Sequence, residues 1–161
     1  MIVEKAFDIN DWVVLVSIMV IWAIFCRLPK TFPRQTTVLI MLYGLTFASV
    51  LDNSFGAKAF DFYDIMDGPV YTVMDAFVYF LYPPFAYFFI YIYHLLKIKS
   101  RGIVLYIFLW SLLSILVESI YENTHVFTYK NGYSLFYSFC IYLTVQSGLL
   151  IFFRAINEKE K

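Results

Sequence analysis

The chain has 161 residues, of which 61% are hydrophobic and 15% charged, with a formal net charge of zero at pH 7 and a mean hydropathy of +0.72. A soluble domain carries roughly 25% charged residues, and a chain this short cannot enclose this much apolar surface, so its solvent is lipid. The balanced charge gives no indication of nucleic acid, and the expected partner is the lipid bilayer itself.

Crossing about 30 Å of hydrocarbon takes about 20 helical residues, and five apolar stretches approach that length. The first covers residues 12–26. Glu4, Asp8 and Asp11 precede it, acidic where a secretory signal is basic, so this run is expected to remain a membrane helix. The second, residues 36–51, is reached through Arg27-Leu28-Pro29-Lys30-Thr31-Phe32-Pro33-Arg34, a tight basic turn with two prolines. Both runs are short enough to imply local thinning of the bilayer or help from their flanks. From residue 53 to residue 69, Phe55, Phe60, Phe62 and Tyr63 mix with aspartates, the composition of an interfacial segment.

The third stretch, residues 70–96, contains Pro83-Pro84 near its middle, and the two missing backbone donors predict a kink. The fourth covers residues 103–121. Before the fifth, residues 133–153, the chain reads Phe127-Thr128-Tyr129-Lys130-Asn131-Gly132-Tyr133, where Asn-Gly favours a tight turn. The whole chain thus reads as one all-α membrane domain, a bundle of about five transmembrane helices.

Lysine and arginine set the expected orientation, because cytoplasmic loops carry the positive excess. Arg27, Lys30, Arg34, Lys97, Lys99, Arg101, Arg154, Lys159 and Lys161 fall on one side, against Lys5, Lys58 and Lys130 on the other. The N-terminus is expected outside and the C-terminus in the cytoplasm, which requires an odd number of spans.

Ionisable residues inside spans are costly and mark functional candidates. On the second span Gly44, Ala48 and Asp52 recur at i, i+4 and i+8, a small-residue seam ending in an acid. On the third, Tyr71, Asp75, Tyr79 and Tyr82 fall within an arc of roughly 80°. On the fourth, Ser111, Ser114, Glu118 and Glu122 share a narrow face. Asp52, Asp75, Glu118 and Glu122 form the candidate ion or proton site, with Tyr71, Tyr79, Tyr82, Ser111 and Ser114 as candidate cavity lining. Asp75 and Glu118 are expected to share a partly hydrated interior. The alternative is that each acid is interfacial, solvated or paired with Lys58 or Lys130.

Enzyme chemistry has little support. His94 and His125 lie at opposite ends of the bundle, no HExxH, GxSxG or P-loop pattern occurs, and no catalytic residue or cofactor is assigned. Laying the second outer loop over the first pairs Asp52 with Glu118, Phe55 with Tyr121 and Tyr63 with Tyr129. Chance similarity between two aromatic-rich hairpins is the preferred explanation of that pattern.

Leu51-Asp52, Tyr82-Pro83, Leu109-Trp110-Ser111 with Glu118, and the motif from Phe127 to Tyr133 together resemble an uncharacterised family of small polytopic membrane proteins of Bacillus-like and clostridial Firmicutes. The resemblance spans residues 36–154, and it departs from the family at Tyr133, where a tryptophan would follow the glycine. It implies the plasma membrane of a Gram-positive bacterium and no established activity. Two function classes follow from the sequence. One is a small transporter, channel or ion-binding subunit; the other is a non-catalytic interaction or accessory protein of the envelope or of sporulation. A second copy of the chain or another membrane protein is the partner either class would take.

Cys26 and Cys140 fall near opposite faces of the membrane in this topology, whereas a disulfide needs Cα atoms within about 7 Å. Both thiols of the oxidised, purified monomer should therefore remain open to alkylation. An intact mass showing one intrachain bridge would refute the helix register.

Overall fold

The structure, a computed structural model, describes residues 7–56, 60–68 and 71–158. Glu4, Lys5, Lys58, Lys159, Lys161 and the expected start of the third span at residue 70 lie outside the described residues.

Helix α1 spans Ile9–Arg27 and begins at Asp8, whose backbone N–H donates to Asp11 Oδ2 at 2.8 Å. Helix α2 spans Arg34–Phe55, starting directly after Pro33. Its polar end remains helical because side chains bond back one turn: Asn53 Nδ2 donates to the Ser49 carbonyl at 2.7 Å and Ser54 Oγ to that of Val50 at 2.6 Å. At about 1.5 Å per residue the two helices reach about 28 and 33 Å, so their polar flanks extend both, one of the two expected ways for a short apolar run to span. The apolar runs stop earlier than the helices because charged and amide residues cap both.

The third span is divided. Helix α3, Val73–Val78, ends in a turn, and helix α4 starts again over Tyr82–Leu95. Pro83 and Pro84 occupy the first turn of α4, where a backbone N–H has no helical partner. Pro84 also leaves the Phe80 carbonyl without its i+4 donor, and Trp22 of α1 supplies one, its Nε1–H reaching that oxygen at 3.0 Å. The predicted kink is thus a break, closed from outside by a neighbouring helix.

A 3-10 turn, Ser100–Gly102, leads into α5, Ile103–Asn123, and the last helix is α6, Leu135–Glu158. Among the described residues five helical segments, counting α3 and α4 as one, are long and apolar enough to cross a membrane. The all-α expectation needs one addition. Strand β1, Tyr63–Ile65, pairs antiparallel with β2, Phe127–Tyr129, in the register Tyr63↔Tyr129, Asp64↔Thr128 and Ile65↔Phe127. After β2 the Tyr133 N–H donates to the Lys130 carbonyl at 2.9 Å around Asn131 and Gly132, both at positive φ, 48° and 78°. That is the φ signature of a type I′ turn, as Asn-Gly predicts.

Helix α4 sits centrally, packed against α1, α2 and α6, while α6 also meets α2 and α5. One buried cluster, with Val14, Val78 and Val126, lies toward the strand pair; another, with Ile40, Ile90 and Leu150, lies toward the opposite end. Val104, Leu116 and Ile151 face outward, as lipid contact requires. Cys26 and Cys140 are both free and exposed.

The α2–α4 contact depends on Gly44. A Cβ there would lie 2.6 Å from Ala86 Cβ and 3.0 Å from the Tyr82 carbonyl oxygen, both fixed on the α4 backbone. Gly44→Ala should cost about 1–3 kcal/mol through overpacking. Ala86→Gly in the same chain should recover part of that loss. Thermal unfolding in detergent checks both, and an unchanged midpoint for Gly44→Ala would remove this contact from the account.

Candidate functional site

Two carboxyl groups enter the bundle from the strand-bearing ends of α2 and α5. The small-residue face of α2 lets neighbouring helices approach, and Asp52 continues that face inward. Its Oδ1 accepts the Tyr63 hydroxyl at 2.8 Å and its Oδ2 that of Tyr82 at 3.0 Å. Glu118 is bound in the same way. Its Oε1 accepts Tyr129 and Ser138, each at 2.5 Å, and its Oε2 accepts Tyr142 at 2.5 Å. Both acids are buried, Asp52 at 9% and Glu118 at 7% exposure, so these five hydroxyls replace the water that a carboxylate otherwise requires.

The two halves repeat one construction. In each, an acid in the last turns of a helix receives a strand tyrosine 11 residues later and a second tyrosine from the next span. The strand tyrosines face each other as the pair Tyr63↔Tyr129. The pairing noted in the sequence between Asp52 and Glu118, and between Tyr63 and Tyr129, therefore has a structural counterpart.

One helical turn further in lies a second polar layer between α5 and α6. Ser111 Oγ donates to Gln146 Oε1 at 2.8 Å, Gln146 Nε2 donates to Ser114 Oγ at 3.1 Å, and Ser114 Oγ donates to the Trp110 carbonyl at 3.0 Å. Between this layer and the acids is a cavity of about 180 Å³, lined by α2, α4, α5, α6 and both strands. Asp52, Glu118, Tyr82 and Ser114 line it; among the described residues no lysine, arginine or histidine does.

Asp75 is placed elsewhere, and its expected convergence with Glu118 is corrected. It is buried as the N-terminal cap partner of α3, its Oδ2 accepting the Thr72 N–H at 2.6 Å and the Thr72 hydroxyl at 2.8 Å. The arc predicted for Tyr71, Asp75, Tyr79 and Tyr82 assumed one continuous helix. Instead Tyr71 precedes α3 and Tyr79 lies in the break, so these two meet Asn53, at 3.0 and 3.3 Å, and each other at 2.9 Å. Only Tyr82, carried by α4, reaches the cavity. Glu122, half-buried one turn beyond Glu118, does not line it, and Ser111 lies just behind it. Lys130 pairs with Asp64, and with Asp61 at 3.6 Å, rather than with any of the four candidate acids.

Ser138, Tyr142 and Gln146 have no place among the candidates read from the sequence, where Tyr63 and Tyr129 enter only as a repeat pair. Ser138, Tyr142 and Gln146 recur at i, i+4 and i+8 on α6, the same signal that marked Gly44, Ala48 and Asp52, and this stripe could have revealed them. Among the described residues, no three His, Cys, Asp or Glu side chains converge as a metal site.

Outside the spans, burial holds the phenol of Tyr133 up at about 12. Tyr129 and Tyr63 are also pushed up, first by burial and then by Glu118 and Asp52 respectively. The folded chain therefore keeps phenolic protons that the unfolded chain releases above about pH 10. This stability is complete below that pH and is lost as pH rises toward 12 and beyond. Alkaline unfolding should steepen above about pH 10, and Tyr133→Phe should remove up to about one proton from the slope. An unchanged slope, from unfolding midpoints measured across pH 9 to 12, would refute it.

No protein-family model, curated protein or solved structure matches this chain, so its site is read from its own residues.

Proposed function

We propose that this chain is a multi-pass plasma-membrane protein whose Asp52–Glu118 pocket binds a cation or proton, as the working site of a small transporter, channel or ion-binding subunit. The observation that carries this reading is that two buried carboxyl groups line one cavity to which no basic residue among the described ones contributes. In a low-dielectric interior such a pair attracts positive charge. The repeated construction around the two acids adds support, since pseudo-symmetric halves flanking a central site recur in membrane transporters.

The orientation belongs to this proposal. Arg27, Arg34, Lys97, Arg101 and Arg154 gather at the end of the bundle opposite the strands, which favours that end as cytoplasmic and the strand pair as external. The resemblance to a Firmicutes family favours a Gram-positive plasma membrane. A second reading has its own observation: five hydroxyls already bind the two carboxyl groups, as they would if the acids only pinned helices and strands together in an accessory protein.

Infrared difference spectroscopy of carboxyl bands separates these readings. In the ion-site reading the wild type shows two coupled carboxyl titrations, and Asp52→Asn moves the midpoint of the remaining Glu118 band. Two independent bands, with Asp52→Asn and Glu118→Gln folded and active in the cellular phenotype, would favour the accessory role. For orientation, a single cysteine at position 100 should resist an impermeant maleimide applied to intact cells. Labelling there would reverse the assignment.

A further inference from the structure

Eleven of the cavity's 26 lining residues are aromatic. Tyr82, Phe85 and Phe89 of α4 face it, with Trp110 and Tyr121 of α5 and Tyr142 of α6. Rings attract cations through their negative faces, most strongly where water is absent. Its volume of about 180 Å³ slightly exceeds the roughly 150 Å³ of an apolar protein cavity that takes up benzene. Space exists for a compact organic body rather than for a bare ion alone.

The hydrogen bonding narrows the choice further. A carboxylate offers about four lone-pair directions, and three of those on Glu118 already receive hydroxyls. On Asp52 two more are taken, so a primary ammonium, with three donors, finds more donors than either acid has open directions, and a metal ion would compete with the hydroxyls for the same oxygens. A quaternary ammonium brings positive charge without donors, so the hydroxyl bonds can stay in place. From this combination of cavity, aromatic residues and hydroxyl-bound acids, we infer that the pocket takes a small quaternary ammonium ion, held by aromatic faces and by the charge of Asp52 and Glu118. The inference rests on the ion-site reading above and names its ligand class.

Titration calorimetry of the full chain in detergent, with tetraethylammonium as probe, tests it. Saturable binding is expected, at least about tenfold weaker in Asp52→Asn and in Glu118→Gln, because each removes a unit charge near the cation. Wild-type protein alone supplies a second arm that needs no variant to fold. Tetrabutylammonium, too large for the cavity, and ethylammonium, which carries donors, should each bind at least about tenfold more weakly. Equal affinity for ethylammonium or tetrabutylammonium overturns the inference, as does tetraethylammonium binding that survives both substitutions.

A pH-indicator dye in weak buffer distinguishes the two levels of the argument. If tetraethylammonium does not bind, while proton uptake by the wild type is lost in either variant, the ligand class falls and the ion site stands. If neither the cation nor protons depend on Asp52 and Glu118, both readings fall.

Discussion

A carboxyl group buried among apolar helices must be given hydrogen-bond donors by the protein, because the bilayer core supplies none. Much of this structure follows from meeting that requirement twice. Helix α2 delivers Asp52 and α5 delivers Glu118, but neither helix carries the donors that its acid needs. They come from tyrosines and a serine on other elements, and those elements must be held at the right depth. The strand pair does this for Tyr63 and Tyr129: backbone pairing fixes both hydroxyls relative to each other, and each then reaches its own acid. Two loops that composition alone would leave as interfacial linkers are thereby ordered into part of the site.

The break in the third span meets the same requirement from the other side. A straight helix through residues 73–95 would leave Pro83 and Pro84 in its interior, at a cost of about 3 kcal/mol or more for each. Restarting at Tyr82 places both prolines in a first turn and sets Tyr82 against Asp52. The restart leaves the Phe80 carbonyl bare, and Trp22 covers it. Gly44 then lets the restarted helix approach α2 backbone to backbone, so the acid and its phenol are within reach. Proline, tryptophan and glycine, each in a different helix, thus cooperate in one hydrogen bond.

How much of this was legible follows from what each pattern encodes. Hydropathy reports burial in lipid, and so it gave five spans; it cannot report a helix carried past its apolar run by Asn53 and Ser54 bonding back to the helix. The i, i+4, i+8 rule placed Asp52 correctly because α2 is continuous. The same reasoning misplaced Asp75 and its tyrosines because the helix there is interrupted, and angular arithmetic fails across a break. Strand pairing between residues more than sixty positions apart has no local signature stronger than a few aromatic and β-branched residues. The equal spacing of acid and tyrosine in the two halves was visible, yet its meaning required the register Tyr63↔Tyr129.

The order of those donors along the chain bears on how the protein is made. Asp52 is served by residues 63 and 82, and Glu118 by residues 129, 138 and 142, so every donor lies C-terminal to its acid. Synthesis runs from the N-terminus, and α5 is therefore made before the donors that bind Glu118 in the finished fold. A nascent chain that stops after α5 must either hold its glutamate at the interface or bury it bare, which is costly in lipid. The full set of donors that holds Glu118 in the finished fold is thus present only once α6 has been made.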